Sequence, residues 1–142
     1  SAIMFRVASY KNNMLSEDEV NITAAIEENI DGKLVSKFYQ IEPTLKKINS
    51  FSLNWTLVHK IDSNSPFYGF SEDDFKNTDI ELIIMIKAFD EVFANTVVQR
   101  TSYITPEIVY GARFLPMYHS SEDNKTTILD LDKIDDYLAV KI

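Results

Sequence analysis

Apolar and polar residues alternate with a period of two over much of the chain. Phe5 and Val7 alternate with Arg6 and Ala8, and Val20, Ile22, Ala24 and Ile26 alternate with Asn21, Thr23 and Ala25. The rhythm recurs where Phe51, Leu53, Trp55 and Leu57 are interleaved with Ser52, Asn54 and Thr56. Successive side chains of a strand point to opposite faces, so this pattern predicts half-buried strands. Residues 80–88 are apolar on both faces for most of their length, as a strand covered on two sides would be. Residues 97–104, 108–114 and 126–131 add further β-branched and aromatic stretches. Turn chemistry separates them. Asp31-Gly32 sits between two strand-like runs and tolerates positive φ at both positions, which predicts a hairpin. Asp62-Ser63-Asn64-Ser65-Pro66 is a polar turn cluster closed by a proline that stops any ladder. Ser71 followed by Glu72, Asp73 and Asp74 predicts an N-capped short helix to about Asn77, and residues 132–137 read as a second one. The whole pattern predicts an all-β fold, a β-sandwich with one or two short helices, in a single domain over residues 1–142.

Composition narrows what such a domain does. The chain has 142 residues, 45% hydrophobic, with 22 acids against 14 basic side chains and a formal net charge of −8. An acidic surplus argues against a nucleic-acid partner, which needs a basic stripe to displace counterions. There is no cysteine, so thiolate catalysis, redox sensing and thiolate metal sites are excluded. The longest apolar run, Leu82-Ile83-Ile84-Met85-Ile86, is of strand length and far short of the ~18 residues that a membrane helix needs. The start, Ser1-Ala2-Ile3-Met4-Phe5, carries neither an initiator methionine nor a signal peptide and reads as cut from something longer.

Candidate chemistry is sparse. His59 shares parity with Trp55 and Leu57, which reads as a core imidazole with satisfied hydrogen bonds, and His119 lies in a polar segment and reads as solvated. No phosphate-binding glycine loop, nucleophile elbow or zinc-protease motif occurs. The pairs Glu27-Glu28, Asp73-Asp74 and Asp135-Asp136 sit at predicted ends and turns, where solvated caps are the simpler reading. Asp130, Asp132 and Asp135 lack the glycine and closing glutamate of a calcium loop. No catalytic residue, metal ligand or cofactor is therefore expected.

One segment resists the bland reading. Two strong strands flank a tip at Phe93-Ala94-Asn95, and an apolar aromatic at a hairpin tip is unusual because tips face water. A turn formed by Ala94 and Asn95 places Glu91 opposite Val98 and diagonal to Arg100, within reach of a cross-strand ion pair.

The segments FSLNWTLVHKIDSNSPFYGFSEDDF, AFDEVFANTVVQRTSYITPEIVYGARF and, more weakly, FRVASYKNNMLSEDEV resemble the cytoplasmic C-terminal domain of inward-rectifier potassium channels, closest to the prokaryotic members. The resemblance runs over nearly the whole chain, with residues 27–47 and the tail after His119 matching poorly. It implies an immunoglobulin-like β-sandwich on the cytoplasmic face of the cell membrane, assembled as a homotetramer whose axis continues the path of permeating K⁺. The transmembrane pore domain of the same chain, and the basic residues through which lipids regulate the family, would precede Ser1. The tip Phe93, Ala94 and Asn95 matches the family's aperture loop, with Ala94 and Asn95 where glycine is frequent. Glu91 and Arg100 match the acid and base that brace that loop, and Tyr103 and Glu107 fall in a stretch similar to subunit contacts. Lys87 stands where strong rectifiers carry an axial acid, which implies weak rectification. The competing reading is a free-standing immunoglobulin-like module that binds a partner protein.

Overall fold

The structure, a computed structural model, describes residues 1–8, 15–44, 47–51, 54–115, 117–125 and 127–139. Its strands, in chain order, are β1 (Ala2–Ala8), β2 (Leu15–Ile30), β3 (Lys33–Ile41), β4 (Lys47–Phe51), β5 (Asn54–Lys60), β6 (Ile80–Asp90) and β7 (Asn95–Ile104). Three short ones follow toward the C-terminus, β8 (Ala112–Phe114), β9 (Tyr118–Ser120) and β10 (Thr127–Leu129), and β11 (Tyr137–Ala139) ends the set. The helix α1 (Glu72–Lys76) lies between β5 and β6. The all-β sandwich expected from the alternating pattern is what forms.

The main sheet has the order β3-β2-β6-β7, with β4 also on β2. Residues 22–30 of β2 pair with β3, while its first five residues pair with β4, so one long strand carries two short neighbours along one edge. The other edge of β2 pairs with β6 from Leu15↔Asp90 to Ile26↔Ile80. Strands β1 and β5 form a separate antiparallel pair, and β8–β11 and β9–β10 form two more.

Parity decides what is buried. The even positions Val20, Ile22, Ala24 and Ile26 of β2 and Ile80, Leu82 and Ile84 of β6 join Phe5, Trp55 and Leu57 of the β1–β5 pair in one core. The core thus lies between the main sheet and the smaller one. Phe67, Phe70, Phe75 and Tyr110 extend it, with ring centroids 5.2–6.3 Å apart. Phe75 reaches that cluster because α1 starts where the sequence predicts. Ser71 Oγ accepts from the Asp74 amide at 3.1 Å, and Asp74 Oδ2 accepts from the Ser71 amide at 2.8 Å, a reciprocal cap. The Asp31-Gly32 hairpin also forms, with φ of 51° and 82° at its two turn residues and Ile30 paired to Lys33.

Three expectations are corrected. Residues 132–137 do not form a helix: a 3₁₀ turn at Leu131–Lys133 precedes β11, which pairs with β8. Residues 108–114 contribute only the three-residue strand β8, which starts after Gly111 at a φ of 59°, a left-handed conformation that interrupts an extended strand. Arg6, placed by parity on the polar face of β1, is buried at 6% exposure. Its guanidinium donates to the carbonyls of Ile134 (2.9 Å), Lys133 (2.6 Å), Asp136 (3.2 Å) and Leu115, and lies 4.5 Å from the Phe114 ring centroid. The C-terminal segment folds back over the outside of β1 and hides that face.

Candidate functional site

The site is built on the β6–β7 hairpin and the face of the main sheet that points away from the core. The two strands pair from Glu81↔Ile104 to Asp90↔Asn95, which leaves the four residues Glu91, Val92, Phe93 and Ala94 as the connection. Val92 and Phe93 are 64% and 68% exposed. Ala94 sits in the left-handed region, with φ of 52°. The tip therefore does present an aromatic ring to its surroundings, as the sequence suggests. Asn95 is paired in the ladder and is not part of the turn.

That register corrects the one inferred for a two-residue turn. Lys87, not Glu91, faces Val98, and Arg100 faces Met85. The outer-face diagonal of Arg100 is Lys87, and Glu91 lies in the connection itself. The hairpin accordingly does not bring Glu91 and Arg100 together within one chain. The physical reason is loop length: two more residues in the connection shift every cross-strand partner.

What holds the tip instead is Asp90, a residue that sequence reasoning passed over. It is the last residue of β6, on the core-facing parity, and 5% exposed. Its Oδ1 accepts hydrogen bonds from the amides of Val92 (2.9 Å) and Phe93 (3.2 Å). The available signal was an aspartate directly before a turn, where its short side chain mimics a backbone acceptor.

Lys87 is exposed on the outer face, in one cross-sheet row with Glu19 of β2 and Val98 of β7. Beside this row β2 carries an irregularity between Ser16 and Glu19, with Glu17 at φ 53°. A cavity of about 470 Å³ opens there, lined by Glu17, Glu19, Lys87, Ala88, Phe89 and Thr96. Asp18 shares the core-facing parity of Val20 and Ile22. It has no exposed surface, and neither carboxylate oxygen has a hydrogen-bond partner among the described residues. Burial pushes its pKa up, opposed only by its own backbone N–H.

The remaining candidates are dispersed. Tyr103 is half-buried against the Phe5 ring at 6.1 Å, and burial raises its phenol pKa. Glu107 is exposed, and its Oε1 accepts from the Ile104 amide at 3.0 Å, capping the 3₁₀ turn. His59 is the satisfied core imidazole expected: Nδ1 lies 2.8 Å from the Glu42 carbonyl and Nε2 2.8 Å from Ser65 Oγ. His119 is half-exposed and pairs with Asp130 at 3.0 Å.

Comparison with known proteins bears on this arrangement. The family model described as "Inward rectifier potassium channel C-terminal domain" matches residues 2–142. The chain is similar to inward rectifier potassium channel Kirbac3.1 of Paramagnetospirillum magnetotacticum, 29% identical over 132 residues, which is 92% of this chain and 44% of that protein. It is also similar to inward rectifier potassium channel 4 of Mesocricetus auratus and of Homo sapiens, 36% identical in each case over 61 residues, 43% of this chain and 14% of those proteins. The chain thus spans less than half the length of these curated relatives.

Proposed function

The chain belongs to the inward rectifier potassium channel C-terminal domain family, and from that premise we propose that it is the pore-extending, assembly and gating domain of a homotetrameric channel. In this reading it lies on the cytoplasmic face of the membrane, joined to a transmembrane pore domain of the same polypeptide. It performs no catalysis and takes no cofactor. Its task is to shape the path of permeating K⁺, and lipid control enters through residues upstream of Ser1.

The observation that carries this reading is the tip of the β6–β7 hairpin. Four residues project beyond the paired ends of the strands, and the aromatic ring among them is 68% exposed. Four copies around an axis bring four such rings together, and an apolar ring at a constriction hinders hydrated ions by favouring dewetting. Phe93, Ala94 and Asn95 are accordingly assigned to the aperture. Lys87, on the outer face, is assigned to the axial lining, where a cation repels blocking cations. Glu107 and the exposed edge of Tyr103 belong to the surface proposed to meet the neighbouring copy.

The test is Phe93→Ala in the full-length channel. Single-channel recording is expected to read a changed open probability or conductance. Flux that stays unchanged under every gating condition overturns the assignment of the aperture.

A further inference from the structure

We propose that Asp90 is the positioning residue of the hairpin tip, and that its buried carboxylate sets the direction in which Phe93 projects. The inference rests on the tip being the aperture, and deepens that reading by naming what aims it. Three observations carry it.

First, the tip has no glycine. Its four residues are Glu91, Val92, Phe93 and Ala94, and the left-handed position is filled by Ala94 at φ 52°. A β-carbon there disfavours free sampling of that region, so something local must hold the backbone. Second, Asp90 supplies the hold. Its Oδ1 accepts from two amides of the connection, Val92 at 2.9 Å and Phe93 at 3.2 Å. These N–H groups fall outside the β6–β7 ladder, which ends at Asp90↔Asn95. Third, the anchor is buried while its load is exposed. Asp90 is 5% exposed, on the parity that Ala88 shares at 3%, whereas Val92 and Phe93 are 64% and 68% exposed. A hydrogen bond from an amide to a charged acceptor is stronger than a neutral one, and strongest where water is excluded. The tip is therefore a short lever clamped at its base. Phe93 moves only as far as two hydrogen bonds to a buried oxygen allow.

Hydrogen–deuterium exchange of the segment 90–95 in the full-length protein reads this. Asp90→Ala is expected to speed exchange in that segment about tenfold, the loss of one charge-assisted hydrogen bond per amide. Exchange in segments 20–26 and 80–86, at the centre of the β2–β6 ladder, should be unaltered. Asp90→Asn keeps an Oδ1 acceptor at the same place and should stay within about threefold of the parent. That rescue separates an acceptor role from a merely structural one. Unchanged exchange in Asp90→Ala overturns the proposal, and so does an Asp90→Asn variant as fast as the alanine. Should Asp90→Ala fail to fold, Asp90→Glu is the second variant. Its longer arm displaces the acceptor, so exchange should rise in 90–95 alone, and parent-like exchange overturns the proposal equally. Conductance provides the separation from the parent reading. Altered exchange in Asp90→Ala together with unaltered flux in Phe93→Ala leaves the positioning role standing and removes the aperture.

Discussion

Asp18 is a carboxylate with no exposed surface and no hydrogen-bond partner among the described residues. Burying a charge without a partner costs more than burying a neutral carboxyl, so its folded-state pKa is raised above the unfolded value. The direction of the pH effect follows. Below the unfolded pKa, about 4 for an aspartate, the group is protonated in both states and exacts no charge penalty. The penalty grows as pH rises toward the folded pKa and is constant above it. Asp18→Asn should therefore raise stability at neutral pH by about 1–3 kcal/mol, with the advantage over the parent vanishing near pH 4. Thermal unfolding of both proteins at several pH values checks this, and a gap that is the same at every pH contradicts it. Asp90, its neighbour in the same sheet, illustrates the opposite outcome: one buried carboxylate is given two amide donors. The sequence pattern distinguishes neither of them from a surface acid, because alternation predicts which face a residue occupies and not whether a donor waits there.

At the scale of elements, local chemistry was legible and register was not. Asp31-Gly32 and the Ser71 cap are readable because the information lies within two to four consecutive residues. The length of the β6–β7 connection depends on how far the two strands stay paired, which is a property of both strands and of the sheet beside them. With Asp90 capping the turn, the connection has four residues and Lys87 stands opposite Val98. The resulting row, Glu19, Lys87 and Val98, crosses three strands and mixes a carboxylate with an ammonium. A multivalent organic cation approaching this face meets a lysine at its centre. Lys87→Glu in the full-length channel should tighten spermine block about tenfold, since reversing one unit charge at contact distance changes the interaction by about 1–2 kcal/mol in a high dielectric. Voltage-clamp measurement of block in parent and variant reads the change, and equal affinities remove Lys87 from the lining.

For the whole molecule, the all-β class and the sandwich were legible from period-two patterning, as was most of the core, because Val20, Ile22, Ile26, Trp55 and Leu57 sit where alternation puts them. The cover over the outside of β1 was not, since nothing local marks Leu115 and residues 133–136 as partners of Arg6. Arg6 makes that cover specific. Four carbonyls and the Phe114 ring surround a guanidinium that has left water, and burial lowers its pKa against the opposing pull of Asp136 and Asp135. Arg6→Ala removes a donor from four carbonyls, of which those of Lys133 and Asp136 keep the amides of Asp136 and Leu115, and should cost about 3 kcal/mol. Denaturant unfolding measures the loss, and limited proteolysis should cut within 115–136 first; a parent-like digest pattern contradicts the clamp. The same contact joins residues 128 positions apart. Among the strands of this domain β1 is made first, yet its arginine meets the carbonyls of residues 133–136 only once those residues have been made. The β1–β5 pair therefore waits half-covered in the interval, and a nascent domain that stalls before residue 133 keeps the cationic flank of β1 bare, recognisable as unfinished.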